Sequence, residues 1–202
     1  MVIMTNSGMF EQLKNKLSPD AEMWVAYKGY FTRIEVAAKT SLLKEGDVAN
    51  KLFLIERGSI RGWHNYDGKE VTVQFFFENN TVSSIESLRK DIPSSITIET
   101  IEPSIIWWID KKNLNKIISE IKEIPRLRDI LIDTVFERTF DYIKQFSTFI
   151  RDSPEQRYLN LIKERPQIVR RVPQHYIASY LGISSVHLSR IKNKLVRTKS
   201  SI

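Results

Sequence analysis

The stretch 174-QHYIASYLGISSVHLSRIKN-193 decides how this chain is read. Ile177, Leu181, Ile183, Leu188 and Ile191 are apolar at the positions where two short helices must wedge together at a fixed angle. Ala178 is small, as a close crossing of the second helix over the first requires. Gly182 supplies the left-handed backbone that ends the first helix, and Ser184 stands where it caps the second. Together these positions predict a helix-turn-helix over residues 173–195. Residues 185, 186, 187, 189, 190 and 193 fall between the apolar positions and so point to solvent or to base edges. The candidate DNA contacts are therefore Gln174, Ser184, Ser185, Val186, His187, Ser189, Arg190, Asn193 and Lys194. Arg190 suits either a bidentate bond to guanine or a phosphate contact. Lys192, Lys194, Arg197 and Lys199 read as phosphate binders, which give affinity and salt dependence rather than sequence choice.

Charge supports this placement. The 202-residue chain carries a net charge of +7. Residues 151–202 hold eleven Lys/Arg against three Asp/Glu, whereas residues 1–150 hold 20 against 21. A near-neutral module joined to a basic one implies that the C-terminal part meets a polyanion.

Upstream, Ser153-Pro154-Glu155-Gln156 reads as a helix start, with Ser153 as cap, Pro154 in the first turn and Gln156 completing a capping box. It is taken as a domain hinge, followed by a helix over Glu155–Lys163 with Tyr158, Leu159, Leu161 and Ile162 on its apolar face. Val169–Val172 is expected as a short strand. Residues 126–151 contain neither Gly nor Pro and predict one long helix. Leu131, Val135, Arg138, Tyr142, Gln145 and Phe149 form a seam along it, and Ile130, Ile132, Phe136, Phe140, Ile143 and Phe146 add apolar surface beyond. Such a helix must bury more than one face, on its own chain and on a partner chain, or else pack wholly within one chain. The region from about 30 to 110 reads as β. Lys51–Glu56, Ser59–Asn65, Glu70–Phe77, Ser95–Ile101 and Ser104–Ile109 are short, β-branched or aromatic segments. Gly58 breaks one of them, and Asp67-Gly68 favours a tight hairpin turn. Val71, Val73 and Phe75 alternate with Thr72, Gln74 and Phe76, which suits one buried face. Helices are expected over Met9–Tyr27, with a restart at Ser18-Pro19, and over Lys111–Ile124.

The chain has no cysteine, so thiolate nucleophiles, disulfides and cysteine-ligated clusters are excluded. No apolar run approaches a membrane span, and no signal peptide is laid out at the N-terminus. No nucleophile–base pair, Gly-rich phosphate loop or metal-ligand cluster points to an enzyme.

With these motifs in place, the chain resembles the cyclic-AMP receptor protein/Fnr family of bacterial regulators, its DNA-binding end being similar to a short-tailed Bacteroidetes subgroup. LFLIERGSIRGW is similar to the family's β-roll signature, with Gly58 at the glycine after the central strand. Pro125–Phe149 takes the place of the dimerisation helix, and SPEQRYLNLIKERP with VPQHYIASYLGISSVHLSRIKNKL that of the DNA-binding domain. The resemblance implies a homodimer reading a pseudo-palindrome with half-sites about one helical turn apart. In the family's cyclic-nucleotide binders, a cassette offers Gly-Glu and then Arg beside Ser or Thr. Here Ser83-Ser84 replaces Gly-Glu, and Ser94-Ser95 stands where the Arg is needed. Without it, a buried phosphate lacks its charge-assisted bidentate partner, unless Arg89 or Lys90 reaches in from the adjoining loop. The effector-pocket candidates are Ser83, Ser84, Ile85, Glu86, Ser94, Ser95 and, on the long helix, Tyr142, which falls where cyclic-AMP receptors carry small hydroxyls.

The expected fold is α+β: a cyclic-nucleotide-binding-like β-roll (jelly roll) with flanking helices over 1–125, a long dimerisation helix over 126–151 and a helix-turn-helix domain over 152–202. The expected function is that of a cytoplasmic, DNA-binding transcription regulator whose sensor takes an unidentified small-molecule effector or none; cyclic AMP is not expected. Expected partners are double-stranded DNA, a second copy of the chain and, as a candidate, RNA polymerase, with no membrane. The alternative is a small-molecule sensor or interaction module whose basic tail contacts protein.

Overall fold

The structure, a computed structural model, describes residues 21–200, with side chains from Val25 to Arg197. The expected helix over Met9–Tyr27 lies mostly outside these residues, as does Ser18-Pro19; its described end is α1, Ala21–Lys28. Eight strands follow: β1 Thr32–Val36, β2 Ser41–Leu43, β3 Lys51–Arg57, β4 Ile60–Tyr66, β5 Lys69–Phe76, β6 Thr81–Val82, β7 Thr97–Thr100 and β8 Ser104–Asp110. A short helix, α2 (Ile85–Lys90), lies between β6 and β7. Beyond β8 the described chain is helical: α3 Lys111–Lys122, α4 Pro125–Arg151, α5 Pro154–Glu164, α6 Pro166–Arg171, α7 Gln174–Tyr180 and α8 Ser185–Ser200. The fold is α+β, as expected.

The strands form two four-stranded sheets, in the orders β1-β8-β3-β6 and β2-β7-β4-β5. In the first sheet β8 pairs antiparallel with both β1 and β3, placing Ile106 opposite Ile34 and Ile55. Phe53, Ile55, Ile60, Phe76, Val82, Ile98 and Ile106, drawn from both sheets, make the core of the roll. Burying each such side chain contributes about 1.5–3 kcal/mol. Tyr27, Ile109 and Ile117 form a second cluster that joins α1 and α3 to the end of β8. Asp110 caps α3, its carboxylate accepting from the backbone N–H of Asn113 at 2.9 Å. That bond holds the Asp110 carboxyl below the usual carboxylate range.

Two turns require their glycines. Asp67 and Gly68 have φ of 52° and 75°, the paired left-handed residues of a two-residue hairpin turn. Gly58 has φ 113°, and a Cβ there would lie 2.2 Å from Ser104 Oγ. Next to it, Arg61 is 1% exposed and bonds Glu99 Oε1 through Nε at 3.1 Å and Nη2 at 2.8 Å. Alternation puts this pair on the face of its sheet opposite Ile60 and Ile98.

The chain divides into two compact units. One comprises residues through Gly62 together with Phe75–Ile132; the other comprises Trp63–Gln74 together with Asp133 onward. The second unit is thus discontinuous in sequence and includes the tip of the β4–β5 hairpin.

Three expectations require correction. Val169–Val172 does not form a strand: Pro166 opens α6 at a first-turn position and Ile168 is fully buried from a helical turn, so the β-branched residues pack as helix. β5 does not bury one face alone: Phe75, on the side of Val71 and Val73, and Phe76, on the other, are 1% and 7% exposed. Thr72 is 3% exposed and Val73 37%, because the Thr72 position meets α7. The capping box at α5 is half-formed. Ser153 Oγ accepts from Gln156 N–H at 3.2 Å, but the Gln156 side chain turns forward and donates to Asn160 at 2.8 Å.

Candidate nucleic-acid interface

The two helices of the predicted motif are α7 and α8. Gly182, at φ 66°, turns the chain between them, and Ile183 N–H donates to Ala178 O across the turn. Ser184 Oγ accepts from His187 N–H at 3.1 Å and so caps α8 as expected. Ala178 is fully buried, and Ile177, Leu181, Leu188 and Ile191 are each at most 5% exposed. Ser185, Val186, His187, Ser189, Arg190 and Asn193 are all exposed, as is Gln174 at the start of α7. At 100° per residue, Val186, Arg190 and Asn193 fall on the stripe directly opposite Leu188 and Ile191.

Lys194, expected on phosphate, pairs with Glu155 at 2.8 Å, which ties α8 to the start of α5. Lys192 is half-buried and Arg197 exposed; the Lys199 side chain lies outside the described residues. Among the described residues no strand lies beyond Asp110, so no β-wing flanks the motif.

The motif is held in place by residues to which the sequence reading gave no such role. Arg157 on α5 donates to Phe149 O at 3.3 Å, Asp152 O at 3.1 Å and Leu181 O at 2.9 Å. Its guanidinium lies 4.8 Å from the centre of the Phe149 ring. These carbonyls sit at helix ends, where the helix itself offers no donor. Ser179 on α7 accepts from Thr72 N–H at 2.9 Å and donates to Glu70 O at 2.8 Å. Gln74 accepts from Arg165 at 2.9 Å and donates to Gln145 at 3.1 Å, and Gln145 donates to Val73 O at 3.3 Å. Arg165 also reaches the Tyr180 hydroxyl at 3.4 Å, and burial pushes the Tyr180 phenol up. Gln145, an unexpected polar residue in the α4 seam, is thereby accounted for: it faces the hairpin.

On α4 much of the expected apolar surface remains uncovered. Val135, Phe136, Phe140, Ile143 and Phe146 are 53–68% exposed, and the Phe136 and Phe140 rings stack at 6.1 Å. On α5, Tyr158 and Leu161 are buried, but Leu159 and Ile162 of the expected apolar face are exposed.

The effector-pocket candidates are placed as follows. Ser83 Oγ donates to Lys51 O at 2.8 Å, and Ser94 Oγ donates to Ile96 O at 2.7 Å while accepting from Ile96 N–H. Ser84 is buried at the start of α2, and Ile85, Glu86 and Ser95 are exposed. Glu86 pairs with Lys90 at 2.7 Å, which holds its carboxyl below the usual range. Neighbouring Ser87 is likewise engaged, accepting from Ala49 N–H and donating to Ile92 O. The segment 93–96 offers no cation, and its buried hydroxyl serves its own turn. These residues do not fit a phosphate. Tyr142 lies on α4 in the other unit, 48% exposed. Among the described residues no three metal-ligating side chains gather, and no helix is long and apolar enough to cross a membrane.

Residues 33–120 match the cyclic nucleotide-binding domain family. Among solved structures, the chain is similar to the c-di-GMP-responsive global regulator CLP of Xanthomonas campestris, with TM-score 0.70 and 18% identity over 89% of this chain and 93% of that one. It is also similar to FixK2 of Bradyrhizobium japonicum, with TM-score 0.70 and 14% identity over 84% and 86%. A mutant of CooA from Carboxydothermus hydrogenoformans gives 0.69 and 17% over 96% and 86%. A curated relative, the vacuolar basic amino acid transporter VSB1 of Saccharomyces cerevisiae, is 27% identical over 130 residues, and the chain spans 12% of its length. Residues 33–120 therefore match the cyclic nucleotide-binding domain family, within a chain that over most of its length shares the fold of CLP, FixK2 and CooA.

Proposed function

We propose that the protein is a homodimeric, sequence-specific DNA-binding transcription regulator whose sensor does not take cyclic AMP. The observation that carries this reading is the α7–turn–α8 unit. Its inner side is locked by Ala178, Leu188 and Ile191, and its outer side presents Ser185, Val186, His187, Ser189, Arg190 and Asn193 to solvent. A capped helix with such an outer face, on a segment with eleven cations against three acids, suits the major groove. Dimerisation is supported by the uncovered aromatic face of α4, which is rich enough in Phe and Ile to form an interface core. The committed hydroxyls of Ser83 and Ser94 favour an effector other than a cyclic nucleotide, or none.

The test is selection of sites from random duplex DNA by the full-length protein, followed by affinity measured against salt. A selected two-fold site, a steep salt slope and strong weakening by Arg190→Ala are expected. Equal, weak binding to all sequences, insensitive to Arg190→Ala, refutes the reading. A flat slope favours the alternative in which the basic tail contacts protein. Native mass spectrometry is expected to give the dimer mass with no cyclic nucleotide retained.

A further inference from the structure

We infer that Val186 is a specificity residue that reads the 5-methyl group of a thymine in each half-site. The inference rests on the DNA-binding reading above and adds to it a base and a position. Val186 is 62% exposed, although it is β-branched and apolar. Its neighbours on the outer face are Ser185, His187, Ser189, Arg190 and Asn193, so no apolar patch explains it. It lies in the first turn of α8, the end of a recognition helix that meets base edges. In the major groove thymine alone presents a methyl group, and an apolar side chain is the matching contact.

Helix geometry then fixes where the thymine stands. Val186 and Arg190 are four residues apart on one stripe, so their Cβ atoms are separated by about 5–6 Å. Base pairs stack at about 3.4 Å. The thymine read by Val186 therefore lies within about two base pairs of the base that Arg190 reads. With guanine as the Arg190 partner, each half-site carries a guanine and a thymine in that spacing.

The experiment uses the full-length protein and the site it selects from random duplex DNA. Each thymine of that site is replaced in turn by deoxyuridine, which deletes only the methyl group. At one thymine per half-site, wild-type affinity is expected to fall about fourfold, the worth of one buried methyl-sized group. Val186→Ser, a surface substitution that leaves the fold intact, is expected to bind the thymine and deoxyuridine sites equally. The inference is overturned if no thymine is methyl-dependent, or if Val186→Ser keeps the same deoxyuridine penalty. It is also overturned if Val186→Ser leaves affinity for the selected site unchanged, as when Val186 serves a protein contact. Failure to select any site refutes the DNA-binding reading itself, and that outcome precedes the deoxyuridine step.

Discussion

Replacing Arg157 with alanine removes a side chain that bonds the end of α4 and the turn of the helix-turn-helix at once. Its bonds to Leu181 O at 2.9 Å and Asp152 O at 3.1 Å are well formed, while that to Phe149 O at 3.3 Å is weak. A hydrogen bond from a charged donor is worth about 1.5–3 kcal/mol. The low end applies here, because Arg157 is half-buried and water can reach the carbonyls after truncation. Loss of the guanidinium over the Phe149 ring adds roughly 0.5–1 kcal/mol. Arg157→Ala is therefore expected to cost about 3.5–4 kcal/mol in urea unfolding followed by helical circular dichroism, with the slope unchanged. Arg157→Lys is expected to recover less than half of this, since one ammonium cannot span carbonyls on two sides. Under the proposed function, DNA affinity falls along with stability, because the turn loses its tie to α5. A cost below about 0.5 kcal/mol for Arg157→Ala, the range of ordinary surface substitutions, refutes the reasoning. So does a lysine variant as stable as the parent.

Three further predictions concern the frame around the site. Gly58→Ala is expected to cost about 3 kcal/mol in chemical denaturation, since its φ is positive and its Cβ would overlap Ser104; a loss below 1 kcal/mol would mean the turn relaxes freely. The lowered pKa of Asp110 means that its cap stabilises the fold above about pH 4 and that this contribution is lost as pH falls through the folded value. Asp110→Ala should then cost about 1 kcal/mol at pH 7 and close to nothing in acid, and a pH-independent difference would argue against the cap. Ser179→Ala removes the acceptor of the Thr72 amide, so hydrogen exchange at Thr72 is expected to quicken several-fold while amides in β3 stay unchanged.

Much of this architecture is readable in the chain because it rests on local chemistry. Gly182 and Ser184 each answer a backbone demand within four residues, and Asp67-Gly68 does the same for the hairpin. Departures come where distant segments decide. Ile168 and Val169 have strand-like side chains, but Pro166 and the burial of Ile168 make that turn helical. Thr72 and Gln74 look like the polar side of a strand, yet both are engaged by residues about 70 to 107 positions away. Arg157 reads as one cation among eleven, because its partners are backbone carbonyls and leave no trace in residue type. The cassette was legible as lacking its Arg, but the bond of Ser83 to distant Lys51 O and the use of Ser94 within its own turn were not.

The discontinuity of the second unit bears on how such a chain can exchange parts during evolution. A recombination event near residue 152 would join a new helix-turn-helix to an old hairpin. Ser179 asks that hairpin only for the Thr72 amide and the Glu70 carbonyl, which any residue except proline at 72 provides. The Gln74, Gln145 and Arg165 links are made by side chains and must be inherited together. Descent should therefore preserve the two backbone bonds at positions 70 and 72 through changes of residue type, and should couple changes at 74, 145 and 165.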